Sequence, residues 1–240
     1  YESVYNQFPM GAQGRDPRTG VYLPNGIRNR QPFVVAILPF LEQQNAYAAY
    51  NFDREFNVNV NLTTRLIWLD TFQCPSDERQ MFNQFSGGTF IPFDTKGNYG
   101  LNWGANTFLD QGRGNGIQAA PFFIAYGAKI ADIRDGTSNT MAMTEMLQAP
   151  SPNGNPPAID RRARLWNDDS ACYQISTRFG PNSPLPDMSV CVNDPGLRLP
   201  CITGSTSSND FYMGARSRHP GGVNALLCDG SVRFMKDTIG

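Results

Sequence analysis

The chain has 240 residues, 40% of them hydrophobic and 17% charged, with a formal net charge of −1. That length is enough for one large domain or two small ones with a real core. The even charge balance and a pI near 5.8 argue against a partner held by electrostatics, such as nucleic acid, and no stretch approaches the roughly 20 apolar residues of a membrane span.

The 23 glycines and 18 prolines make a turn-rich chain that is more β than α; average usage would be nearer 12% for the two together. The segment 11–30 is rich in Gly, Pro, Asn and Arg and reads as an irregular loop. The best helix lies over 33–50: Leu38, Leu41 and Asn45 fall at helical spacing, with Pro39 in the first turn. A short helix is expected over 63–70, then a turn at Cys74-Pro75. Aromatic residues and glycines are mixed over 82–103, which suggests strands of a small sheet. The segment 111–116 is glycine-rich, but no Lys-Ser/Thr follows it, so it is a flexible loop and not a phosphate cradle. Met141 to Leu147 alternates like a buried strand, four prolines within 150–157 mark a loop, and 166–177 returns to the sheet. The segment 181–208, dense in Pro, Ser, Asn and Cys, is expected to be irregular.

The C-terminal residues 211–240 read as a final strand and a hairpin. Pro220-Gly221-Gly222 is a turn, Val223 to Cys228 an apolar strand, Asp229-Gly230 a tight type I′ turn, and Ser231 to Met235 a half-buried strand. The only histidine, His219, stands at the hairpin's entrance, nine residues before Asp229.

His219-Pro-Gly-Gly-Val-Asn followed by Asp229-Gly-Ser-Val-Arg-Phe resembles the C-terminal signature of a large family of type IV prepilin-like proteins known mainly from planctomycete bacteria. Further segments resemble the same family in the same order: Ile37 to Gln43, Phe72-Gln-Cys-Pro-Ser-Asp77, Asn98 to Gly104, and Ile133 to Thr140 with Glu145 behind it. The resemblance implies a precursor with a long apolar N-terminal helix, preceded by a basic leader, of which Tyr1 to Gln7 would be the last turns and Pro9 the stop. It also implies an α+β fold, with that helix packed on a mostly antiparallel sheet, forming a single pilin-like head over residues 1–240. The rival reading of the N-terminus is a mature secreted protein cleaved just before Tyr1.

Five cysteines occur without a Cys-x-x-Cys pair, and one histidine cannot complete a Cys/His zinc site. Cys191 and Cys201 bracket a Pro/Gly loop, a natural disulfide in an oxidising compartment, and Cys228 belongs in a buried strand. His219 and Asp229 form the obvious dyad for general-base chemistry, but neither has a convincing nucleophile and both have structural explanations. His219, Gly221, Gly222, Asp229 and Gly230 are therefore expected to be a structural motif. Asp132, Asp135 and Glu145, with Ser138 and Asn139, form an oxygen-rich group of the kind calcium uses, although no EF-hand pattern is present; no other cofactor is expected. Asn61-Leu-Thr63 matches a glycosylation sequon. Tyr47, Tyr50, Phe52 and Phe56 are expected in the core.

The functional expectation is a non-enzymatic, extracytoplasmic subunit of a pilus-like or pseudopilus filament. Its partners would be copies of itself and other pilin-like subunits, met through the N-terminal helix, with the inner membrane holding it before assembly. The alternative is a periplasmic or surface module binding a carbohydrate or peptide, with Trp68, Trp103 or Trp166 lining its pocket.

Overall fold

The computed structural model describes residues 1–13, 30–108, 120–204 and 211–239. In chain order, helix α1 (Glu2–Tyr5) is followed by a two-residue ladder of β1 (Ala12–Gln13) with β2 (Gln31–Pro32). Helices α2 (Phe33–Ile37), α3 (Gln44–Ala49) and α4 (Leu62–Arg65) come next. Then follow the hairpin β3 (Met81–Ser86) and β4 (Thr89–Thr95), strand β5 (Tyr99–Asn102), the small pair β6 (Phe122–Phe123) and β7 (Tyr126–Gly127), and β8 (Met141–Glu145). The chain closes with β9 (Gln174–Ile175), β10 (Asp187–Ser189), β11 (Cys201–Thr203), β12 (Gly222–Leu227) and β13 (Val232–Lys236). The architecture is α+β, as expected.

The central sheet has five strands in the order β13-β12-β8-β5-β9. Its pairings are antiparallel except β5 with β9. The strand expected over 141–147, the C-terminal hairpin and the return to the sheet within 166–177 are all present, as β8, β12 with β13, and β9. Helices α2 and α3 and the buried rings Phe33, Phe72, Tyr173 and Trp166 join this sheet in one hydrophobic cluster. Tyr50 and Phe56 belong to it, whereas Tyr47 and Phe52 stay substantially exposed and pair with each other at 4.9 Å.

Several expectations are corrected. The helix over 33–50 is broken: a 3-10 turn runs over Leu38–Leu41 and Glu42 adopts φ 57°. Pro39 has no N–H to continue the α2 ladder, and its ring crowds the carbonyl four residues back. The helix over 63–70 ends at Arg65. The segment 181–208 is not wholly irregular, because β10 and β11 pair in parallel within it; strands of three residues are too short to show a period. The loop expected at 11–30 and that at 111–116 lie largely or wholly outside the described residues. Asn61 is fully buried, and its side chain accepts from Asn51 N at 2.7 Å and donates to Glu55 O at 3.0 Å. It closes a loop and offers no amide to a glycan. Trp166 is fully buried with Nε1 donating to Thr95 Oγ1 at 3.0 Å, and Trp103 is stacked on Phe108, so neither lines an open binding pocket.

The core contains charge. Arg162 donates to Asp160 at 2.7 Å and to Asp187 at 3.1 Å, Arg216 reaches Asp187 at 3.0 Å, and Arg164 holds Asp94 through two nitrogens. Lys96 is fully buried, donating Nζ to Ala149 O at 2.7 Å and Asp160 O at 2.8 Å. Burial pushes its pKa down to about 8, with Asp160 opposing. A neutral amine keeps two N–H donors, enough for both carbonyls, so deprotonation costs no hydrogen bond. Above the folded value the unfolded chain binds more protons than the native one, so stability attributable to Lys96 rises with pH. The unfolding free energy of wild type minus that of Lys96→Met is therefore expected to increase by about 1 kcal/mol from pH 8 to pH 9, measured by urea denaturation of both proteins at each pH.

Candidate functional site

Three sheet strands bring four distant motifs to one end of the sheet. Tyr99 at the start of β5 pairs with Glu145 at the end of β8. Ala225 in β12 pairs with Thr144, which sets the beginning of β12 beside the same end. The segments around Cys74, Asn98, Glu145 and His219 therefore meet there, across as much as 145 residues of sequence.

Asn98 is the junction. Its Oδ1 accepts from Cys74 N at 3.0 Å and from Gln148 Nε2 at 2.7 Å, while its Nδ2 donates to Asp77 Oδ2 at 2.8 Å and Met146 O at 3.0 Å. Asp77 also accepts from Gln148 N at 2.9 Å and from Arg218 Nε at 3.1 Å. The Cys74–Asp77 turn, closed by Asp77 N to Cys74 O at 3.1 Å, is thus tied both to the sheet and to the residue preceding His219.

Glu145 is the second anchor. Its side chain is only 2% exposed. Oε2 accepts from Asn224 N at 2.7 Å, and Oε1 accepts from Asn224 Nδ2 at 3.2 Å and meets His219 Nε2 at 3.0 Å. Cys74 Sγ lies 3.7 Å from the same Nε2. The ligating atoms of Cys74, Glu145 and His219 all lie within 4.8 Å of one another. Cys74 and Glu145 are buried, and His219, 29% exposed, forms the side of the cluster facing solvent. Tyr99 borders it: burial first, then the neighbouring Cys74 and Glu145, raise the tyrosine's pKa.

The His–Asp dyad does not form. His219 precedes β12 and Asp229 follows it, so six residues of strand, about 20 Å, lie between them. Asp229 is exposed, and accepts from Ser231 N at 2.9 Å and Ser231 Oγ at 2.7 Å; the latter bonds hold its carboxyl below the usual range. The turn is not type I′, because Gly230 has φ 86° while Asp229 is not among the positive-φ residues. Gly230 N donates to Leu227 O at 3.0 Å and Leu227 N to Ser231 O at 2.8 Å, which is a three-residue loop ending in a glycine bulge. The other motif glycines serve the entrance turn. Gly221 has φ 81°, and a Cβ on Gly222 would come within 2.2 Å of Met235 O. Ser217 Oγ donates to Gly222 O at 2.8 Å and accepts from His219 N at 3.1 Å, holding the turn closed.

The oxygen-rich group is not assembled. Asp132 caps its own turn, accepting from Lys129 N at 3.0 Å, and among the described residues the metal-competent cluster containing Glu145 includes neither Asp132 nor Asp135. Glu145 lies instead with Cys74 and His219. Cys74 and Asn98 were visible only as parts of motifs, since nothing in local spacing pairs them with a histidine 145 residues away. Cys191 and Cys201 form the expected disulfide, with Cα atoms 6.3 Å apart, while Cys74, Cys172 and Cys228 are free and buried.

Both contacts of His219 fall on one ring nitrogen, Nε2. In a nucleophile–histidine–acid relay the two partners occupy opposite nitrogens, so that the ring passes a proton between them. This arrangement is convergent and does not relay. Glu145→Ala would leave the half-buried Asn224 without its acceptor for N and Nδ2, a loss of about 2 kcal/mol, whereas Asp229→Ala at the exposed turn is expected to cost about 1 kcal/mol or less. Chemical denaturation of the two variants checks this ordering, which reverses if the histidine–aspartate spacing marks a working dyad.

No curated protein and no solved structure matches the chain. The motifs that build the site span the region covered by one family model, which matches residues 1–240: the chain belongs to the family described as "protein of unknown function (DUF1559)".

Proposed function

We propose that the protein is a non-enzymatic structural subunit, the exposed head of a pilus-like or pseudopilus filament outside the cytoplasm. The observation that carries this reading is the edge of the central sheet. Among the described residues strand β13 pairs on one side only, with β12, and it displays apolar residues to solvent: Val232 is 65% exposed, and Phe234 and, just beyond the strand, Ile239 are also open. An edge that shows apolar side chains, here interleaved with the exposed Arg233 and Lys236, offers a template for association. A second apolar patch surrounds α1, where Val4, Tyr5 and Phe40 are exposed and the rings of Tyr1, Tyr5 and Phe40 cluster. Two unlike apolar surfaces on one subunit suit heterologous contacts, which propagate without closing. The resemblance of the motifs to prepilin-like proteins supports the same reading, with an N-terminal helix as the filament core and the inner membrane as its station before assembly. No helix among the described residues is long and apolar enough to cross a membrane.

Electron microscopy of cells producing the full-length protein is expected to show fibres bearing this head at regular spacing. Val232→Lys is expected to abolish or shorten them while shifting the stability of the isolated head by no more than about 0.5 kcal/mol. Membrane-anchored monomers without fibres would overturn the proposal.

A second reading, a ligand-binding module, is favoured by one observation. A cleft of about 280 Å³ lies between Ile175, Phe179, Ala215, Val223, Met235 and Ile239. Its apolar lining suits a hydrophobic peptide side chain better than a sugar, and a peptide panel read by chemical-shift changes at Phe179 and Met235 separates the two readings.

A further inference from the structure

We infer that Cys74, Glu145 and His219 form a binding site for a single zinc ion. The sequence seemed to exclude zinc, because one histidine and no Cys-x-x-Cys cannot build a Cys/His site of four ligands. The folded chain supplies a different set: one thiol, one imidazole and one carboxylate, drawn from three segments, with ligand atoms all within 4.8 Å of one another.

Two of the three separations match the ion. With Zn–S of about 2.3 Å and Zn–N or Zn–O of about 2.0–2.1 Å, tetrahedral angles place sulfur about 3.6 Å from nitrogen and nitrogen about 3.3 Å from oxygen. The corresponding separations here are 3.7 Å for Cys74 Sγ to His219 Nε2 and 3.0 Å for His219 Nε2 to Glu145 Oε1. Sharing of one nitrogen by both partners, which defeats a proton relay, is what a metal site requires. The donor chemistry selects the metal class: calcium takes six to eight oxygens, while a thiolate with an imidazole selects zinc or a related soft divalent ion.

The surroundings are built as metal ligands usually are. Ligating carboxylates are themselves hydrogen-bonded, and Glu145 is held by Asn224 through its backbone and side-chain nitrogens at 2.7 and 3.2 Å. The backbone of Cys74 is pinned by Asn98 at 3.0 Å, and that of His219 by Ser217 Oγ at 3.1 Å. Three protein ligands leave a fourth tetrahedral position, which water or an outside donor fills from the solvent side that His219 borders. On binding, the Cys74 thiol proton passes to solvent, and the imidazole presents the Nε2 lone pair with its proton on Nδ1, so zinc replaces the His219–Glu145 hydrogen bond with two coordinate bonds. The site stands independently of filament formation, since it lies at the start of β12 and not on the exposed edge of β13.

Titration of the reduced, metal-free chain with zinc alone, by calorimetry, is expected to show one ion per chain. Cobalt(II) in its place is expected to give a thiolate-to-metal charge-transfer band. Cys74→Ser should remove that band, and both Cys74→Ser and His219→Gln should weaken zinc binding about a hundredfold or more. Asp132→Asn, in the oxygen-rich group, should leave binding unchanged. His219 is partly exposed, so His219→Gln gives a folded test should Cys74→Ser not fold, and the cobalt band needs no variant. Absence of zinc uptake and of the cobalt band in the wild-type chain, or zinc binding in the folded variants as tight as in wild type, would overturn the proposal. Fibre microscopy of the zinc-free protein is a separate readout, so failure of the site and failure of the filament are distinguishable.

Discussion

A chain with so few long elements must still satisfy the hydrogen-bonding groups of its buried loops, and that constraint organises this protein. Backbone N–H and C=O groups removed from water need partners, and where no helix or ladder provides them, side chains must reach in. Arg162 donates to Val192 O at 2.8 Å, Arg216 to Ser183 O and to Leu185 O, and Lys96 to two carbonyls. Long cationic side chains suit this task because each offers several donors. Their charge then has to be balanced, and Asp94, Asp160 and Asp187 are buried beside them. Such pairs are weak evidence for stability in themselves, but breaking one leaves an uncompensated charge in the interior. The loops are thereby held to one arrangement.

The candidate site is a local instance of the same solution. Asn98 uses all of its side-chain amide to join the Cys74 turn, Asp77, Gln148 and the backbone of Met146. Glu145 does for the start of β12 what Asp187 does for the loop carrying Arg216. What distinguishes the site is that a thiol and an imidazole complete it, so a structural knot also holds soft ligands. Structure and coordination chemistry do not compete here: the bonds that fix the backbone are those that aim the donors.

Much of this was legible in the sequence, and the misses have specific causes. Alternation revealed β8, and β12 stood out as an apolar run that buries Val223, Ala225 and Leu227 while Asn224 and Leu226 are half-exposed; β13 alternates in sequence but is exposed along most of its length, against the half-buried strand expected. The loop between Cys191 and Cys201 announced its disulfide by composition. The two-residue strand β9 and the three-residue β10 and β11 were beyond any periodic signal. The helix at 33–50 broke because Pro39 outweighed spacing. The site itself was half visible: each of its residues lies in a segment that stood out, yet His219 was matched to Asp229, its neighbour in a sequence motif, when its partner in space is Glu145. Pairing across antiparallel strands depends on sheet order, which local pattern does not carry.

The hairpin also explains the spacing that drew attention to it. Nine residues separate histidine from aspartate because a strand of fixed reach spans the sheet between a closing turn at one end and a bulged turn at the other. One residue added within β12 would invert the side chains beyond it, turning Val223 or Ala225 outward or carrying Asn224 away from the carboxylate it grips. The interval acts as a ruler. It records the width of the sheet, and it permits exchange of the residues it measures far more readily than any change in their number.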